Sequence, residues 1–146
     1  MKKIAIGCDH AGFSLKQTVV SVAQSLGLQI VDKGCHDLSS VDYPDFAQTV
    51  SEALVAGEVE RGILICGSGI GMALTANRFK GVRAASITDV YSCEMSRRHN
   101  DLNVLCLGAR VVGTGLAEKL LQVFLTTEFE GGRHQGRLDK IAKLEK

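Results

Sequence analysis

The sequence predicts an α/β protein in which one parallel β-sheet lies between two layers of helices. Short apolar runs rich in Ile, Val, Leu, Ala and Cys recur along the chain, and each is followed by a longer stretch with apolar residues at helical spacing, such as Val50, Ala53 and Leu54. The runs do not alternate apolar with polar residues, which is the pattern of strands covered on both faces. A strand followed by an amphipathic stretch, repeated, is the grammar of βαβ units.

Taken in order, the first strand is expected over 3–8 and its helix over 13–26. The second strand, 28–32, leads into a polar loop over 33–42. The only proline, Pro44, opens a helix over 43–56, where its missing N–H costs nothing. The third strand, 62–66, ends in Gly67-Ser68-Gly69-Ile70-Gly71, and a helix is expected over 70–77. A fourth strand over 82–87 precedes a helix over 90–98, and a fifth over 104–107 precedes one over 115–125. After the Gly131-Gly132 break a last, basic helix is expected over 137–146. Five strands with five crossover helices make a single-domain three-layer α/β/α sandwich spanning 1–146, with no internal repeat.

Composition narrows the function classes. The chain has 146 residues, 45% of them apolar and 23% charged, enough for one domain but not for a linker and a second. A chain of this length hides roughly 68–70% of its unfolded surface, so the core needs neither disulfide nor structural metal. Seventeen basic residues against 16 acidic ones leave a net charge of +1, no broad footprint for nucleic acid. No apolar run reaches the roughly 18–20 residues that cross a bilayer, so no membrane partner and a cytoplasmic location are expected. Cys8, Cys35, Cys66, Cys93 and Cys106 are odd in number and contain no CxxC, which argues against a disulfide framework or a zinc pairing.

In such a sheet ligands gather beyond the carboxyl ends of the strands. Asp9 and His10 follow the first strand, Cys66 and the glycine turn the third, Thr88 and Asp89 the fourth, and Gly108-Ala109-Arg110 the fifth. The turn Gly67-Ser68-Gly69-Ile70-Gly71 reads as an anion cradle at a helix start, or as a tight turn whose glycines serve packing. A dinucleotide fingerprint would need a small residue where Met72 stands, although Asp89 lies at the distance of a ribose-binding carboxylate. Cys66, immediately before the turn, is placed where a helix N-terminus favours thiolate; Cys8 is also near a strand end, and buried packing is the alternative for every cysteine. His99 and Asn100 supply an imidazole and an amide after the fourth helix. Arg133, His134 and Arg137 form a cationic cluster that reads either as a phosphate clamp or as a solvated tail.

Together, Gly7-Cys8-Asp9-His10-Ala11-Gly12, Asp42-Tyr43-Pro44-Asp45-Phe46, Cys66-Gly67-Ser68-Gly69-Ile70-Gly71-Met72, His99-Asn100-Asp101 and Gly132-Arg133-His134 with Arg137 resemble the ribose-5-phosphate isomerase B family of sugar-phosphate isomerases. The resemblance covers nearly the whole chain in register. It implies a Rossmann-like domain and an aldose–ketose isomerase that interconverts ribose 5-phosphate and ribulose 5-phosphate through a cis-enediolate, using no metal and no cofactor. A glutamate found after the glycine turn in another branch is replaced here by Met72, so the resemblance makes Cys66 the base. It gives Asp9 and His99 a part in ring opening. Ser68 and the amides of Gly67, Gly69, Ile70 and Gly71 would hold the enediolate together with Asn100, and His10, Arg110, Arg133 and Arg137 would hold the phosphate. It also implies a homodimer or dimer of dimers, with His99, Asn100 and Arg110 reaching across the interface. Relatives acting on allose or galactose 6-phosphate share most of these residues, and a non-catalytic sugar-phosphate sensor is a third reading.

Overall fold

The computed structural model describes residues 3–146. In chain order the elements are β1 (Lys3–Cys8), α1 (Phe13–Ser25), β2 (Gln29–Asp32), α2 (Tyr43–Val55), β3 (Arg61–Cys66), α3 (Ile70–Ala76), β4 (Ala84–Ser86), α4 (Val90–Arg98), β5 (Val104–Gly108), α5 (Thr114–Thr126) and α6 (Arg133–Ala142). The strands form one sheet in the order β2-β1-β3-β5-β4, and every pairing is parallel. Four helices connect strands. The fifth expected crossover, α5, instead follows the last strand and packs back on α1 and α4.

Successive side chains of a strand point to opposite faces, so each strand feeds two cores. Ile4, Ile6, Ile63, Ile65, Leu105 and Leu107 pack against α1, α4 and α5 through Val19, Cys93, Leu120 and Phe124. Ala5, Leu64, Val104 and Cys106 face α2 and α3 through Val50, Ala53, Met72 and Ala76. This second face is built of smaller residues, and α2 rides close to it: a Cβ on Gly62 would meet Val50 Cγ1 at 2.7 Å. The unbroken apolar runs seen in the sequence are the result of both faces being covered.

Two buried arginines close one end of the first core. Arg61 donates to the Phe124 carbonyl, and Arg97 donates to the carbonyls of Leu102 at 2.6 Å and Thr127 at 3.0 Å and to Asp101 Oδ1 at 2.8 Å. Their guanidiniums flank the Phe124 ring at 5.6 and 6.0 Å. They thus satisfy carbonyls at the C-terminus of α5, where the helix dipole favours cations. Burial, reinforced by the charge of Arg97, lowers the Arg61 pKa from its ordinary value.

Two further expectations are corrected. The fourth strand is confined to Ala84–Ser86 because its flanks are held otherwise: Val82 N–H donates to Phe79 O in a turn, and Arg83 N–H donates to the Asn103 side chain. The last helix begins at Arg133, not at residue 137, and ends at Ala142. Gly131 and Gly132 both have positive φ, 67° and 57°, and finish the break in two residues. Other boundaries shift by a residue or two.

The entry to α1 is a further constraint that the sequence shows only as a glycine. A Cβ on Gly12 would lie 2.4 Å from the Ile65 carbonyl oxygen, so α1 starts in contact with the backbone of β3. Gly12→Ala is expected to lower unfolding free energy by about 1–3 kcal/mol, the cost of overpacking a rigid contact, as a reduced midpoint in urea denaturation.

Candidate active site

The chain leaves β1 toward β2 on one side and later reaches β3 on the other, so the boundary of β1 and β3 is the topological switch point. There the carboxyl ends of β1, β3 and β5 border an open groove of about 650 Å³, lined by Asp9, Cys66, Gly67, Ser68, Gly71 and Arg110 among others.

Cys66 ends β3 with its side chain on the small-residue face, and the residue is 5% exposed. Its sulfur accepts the Gly69 N–H at 3.1 Å. That bond depends on Gly69, whose φ of +81° turns the chain under the sulfur. Ser68 Oγ accepts the Ile70 N–H at 3.2 Å, and the Ser68 carbonyl accepts from Ser86 Oγ at 3.0 Å. Two of the amides expected in the anion cradle, those of Gly69 and Ile70, are therefore already engaged by Cys66 and Ser68. Gly108 permits the turn to lie on β5, since a Cβ there would be 2.7 Å from the Ser68 backbone.

Asp9 is buried beside this turn. Its N–H donates to Ile65 O at 3.1 Å, and its Oδ1 accepts from Gly12 N–H at 3.0 Å, which fixes the carboxylate at the groove. Arg110 is tied to the same turn: its N–H donates to Gly67 O at 3.1 Å, and its guanidinium lies over Gly67. His10 stands on the rim but is not part of the groove lining. Its Nδ1 accepts the Val41 N–H at 3.2 Å, so the neutral ring carries its proton on Nε2 and the imidazole anchors the loop before α2.

Tyr43 lines the groove and was missed. As the first residue of α2 it lays its ring over Gly71, where a Cβ would be 2.5 Å from the ring. The signal was Gly71 itself, a glycine inside a helix, whose missing side chain makes room for something large.

The other half of the expected site lies elsewhere. His99 and Asn100 follow the C-terminus of α4, which runs back from the carboxyl ends of the strands to the start of β5. The His99 ring stacks on His134 of α6 at 4.2 Å with 13° between planes. Asn100 borders a separate groove of about 310 Å³ with Leu138, Arg83 and Val82. Arg133 and Arg137 occupy the exposed side of α6, one helical turn apart. At about 3.3 Å per residue, the six residues of β3 separate the two edges by roughly 17 Å. The residues thus divide as Asp9, His10, Cys66, Ser68 and Arg110 on one edge, and His99, Asn100, Arg133 and Arg137 on the other. Within one chain Arg110 therefore lies with Cys66, and not with His99 and Asn100.

The remaining thiols and Asp89 take structural places. Burial, aided by a hydrogen bond with Cys35, pushes the Cys8 thiol up to about 12, and burial pushes Cys93 up to about 11 and Cys106 up as well. Asp89 Oδ1 accepts Ser92 N–H at 2.7 Å and caps α4, which engages the carboxylate that a dinucleotide ribose would need.

This chain is similar to ribose-5-phosphate isomerase B of Escherichia coli (strain K12), 47% identical over 145 residues covering 99% of this chain and 97% of the relative. It is 42% identical to the D-erythrulose-4-phosphate isomerase of Pectobacterium atrosepticum, covering 99% of this chain and 96% of that protein. The solved structure of Clostridium thermocellum ribose-5-phosphate isomerase B superposes with a TM-score of 0.95 at 47% identity, over 97% of this chain and 96% of that one. The Ribose/Galactose Isomerase family matches residues 4–141, so with this architecture and these full-length similarities the chain belongs to the Ribose/Galactose Isomerase family.

Proposed function

We propose that the protein interconverts D-ribose 5-phosphate and D-ribulose 5-phosphate, with Cys66 as the base. The observation that carries this reading is a single thiol opening on a groove at the switch point, beside a fixed carboxylate and an arginine, in a chain 47% identical to an isomerase of that name. The sugar enters as a closed ring, and Asp9 and His99 move the protons that open it. Cys66 thiolate takes the proton from C2 of the open aldose, and the electron pair of that bond forms the enediolate as charge develops on O1. Ser68 Oγ, the loop amides not engaged by Cys66 and Ser68, and Asn100 stabilise that oxygen; preorganised donors of this kind contribute several kcal/mol to the transition state. The hydroxyl proton on O2 passes to O1, the thiol returns its proton to C1, and C2 becomes the carbonyl of the ketose. The chemistry uses no metal ion and no cofactor.

His10, Arg110, Arg133 and Arg137 hold the phosphate, which does not react and so anchors the sugar while its other end changes. Within one chain the two groups of residues lie at opposite edges of the sheet. The working form is therefore a homodimer, or a dimer of dimers, in which one copy presents the His99 edge to the Cys66 groove of the other. The exposed apolar side chains of Ile70, Leu74 and Val111 around that groove support such a cover.

Substrate length is the point on which relatives diverge, since one is named for a four-carbon sugar phosphate and the family for galactose. Turnover of ribose 5-phosphate is expected to exceed that of allose and galactose 6-phosphates in parallel assays with chelator present. The reverse order would move the assignment to a hexose phosphate, and ligand-dependent melting without turnover would make the protein a sensor.

Cys66→Ala is expected to lower kcat by about 10²–10⁴-fold, the range of a lost general base. Arg133→Ala with Arg137→Ala is expected to raise KM for the phosphorylated sugar. Mixing inactive Cys66→Ala with inactive His99→Ala under exchange conditions is expected to restore roughly a quarter of wild-type activity, because half of the dimers are mixed and each holds one intact site. Alkylation gives an independent check. At about pH 8 the thiols of Cys8 and Cys93, held at about 12 and 11, are almost wholly protonated, so iodoacetamide should modify Cys66 before them in peptide mapping.

A further inference from the structure

Where α4 ends and α6 begins, three side chains with metal-binding atoms face one another. His99 Nε2 lies 3.8 Å and His134 Nε2 3.5 Å from the same Glu130 oxygen, Oε1, and the ligand atoms of the three residues are all within 4.8 Å of each other. We propose that His99, Glu130 and His134 form a reversible binding site for a transition-metal dication of the Zn²⁺ type, and that the bound ion inhibits the enzyme by taking His99 away from the substrate.

The distances fit the ion. Zinc bound by nitrogen and oxygen at about 2.0–2.1 Å in a tetrahedron holds its ligand atoms about 3.4 Å apart. Two of the three edges are within a few tenths of an ångström of that value, and binding requires the exposed His99 ring to leave its stack on His134 and turn until both nitrogen lone pairs meet at one point. Three protein ligands leave a fourth position for water. In the single chain His99 and Glu130 have side chains 39% and 44% exposed, and in the proposed dimer the ion enters by the groove that admits the sugar, whereas His134 is held at 8% as a fixed wall. The second oxygen of Glu130 accepts from Arg98 Nη1 at 3.2 Å, an outer partner that orients the carboxylate.

The surroundings also select among cations. The guanidiniums of Arg98, Arg133 and Arg137 oppose a cation held by charge alone, and two imidazoles suit borderline metals better than oxygen-seeking ones. Zn²⁺, Ni²⁺ and Cu²⁺ are therefore favoured, and Mg²⁺ and Ca²⁺ are not. Binding stands on the geometry alone; the inhibition rests on the role proposed above for His99.

The test is calorimetric titration of the purified full-length protein with ZnCl₂, alongside isomerisation of ribose 5-phosphate at each zinc concentration. One Zn²⁺ per chain is expected, with activity falling as the site fills, returning with chelator, and unaffected by MgCl₂. In His134→Ala, and in Glu130→Gln should the first not fold, zinc affinity and the half-inhibiting concentration are expected to shift together by at least about tenfold, since even outer partners of a metal are worth that much. Cys66→Ser should keep the bound equivalent, which separates this site from the thiol. No zinc binding, or binding unchanged in both Glu130→Gln and His134→Ala, overturns the site. Stoichiometric binding at this site without inhibition overturns the regulatory half. A protein inert toward ribose 5-phosphate in chelator overturns the reading of function instead, while the calorimetry still decides the site.

Discussion

All five strands run in one direction, and this constraint governs where every other feature of the molecule falls. A parallel sheet requires each connection to return to the starting edge, so residues that follow strands collect at one edge and residues that follow the returning helices collect at the other. Asp9, Cys66 and Arg110 follow strands. His99 and Asn100 follow a helix that has returned, and α6 packs against that same edge.

Within the strand-end edge, the site is shaped more by what is absent than by what is present. Gly12, Gly69 and Gly108 each bring backbone within a distance that a Cβ would forbid, and together they press the end of β3 against α1 and the turn that follows it against β5. That compression aims the Gly69 N–H at the Cys66 sulfur. Gly71 performs the same service for Tyr43. The chemistry-bearing groups are few, and their positions are fixed by backbone packing that tolerates no larger residue.

The opposite edge is organised by charge and stacking. Arg97 and Arg61 close the core under Phe124, and Asp101 is shared between Arg97 and Arg83. His99, one residue past α4, is thereby held at a stable surface where His134 and Glu130 meet it. The Glu130 carboxylate is divided between two imidazoles and Arg98, an arrangement that suits proton handling and also suits a dication.

Much of this was legible in the chain. Hydrophobic periodicity located all five strands, because residues covered on both faces leave unbroken apolar runs, and the ordered motifs identified the family. The Arg133 helix start was missed because two glycines in succession look like a longer break than they are. Tyr43 was missed because a glycine in a sequence does not say what fills its space. The glycine turn that follows Cys66 marked it in the sequence but left Cys8 open; packing shows that Cys8 is sealed against Cys35 while Cys66 faces the groove. The sequence by itself determined the fold, the family and the inventory of reactive side chains, since these depend on local periodicity and composition. Tertiary structure alone decided which of them share an edge, because that follows from the direction of the strands and from contacts between residues far apart in the chain.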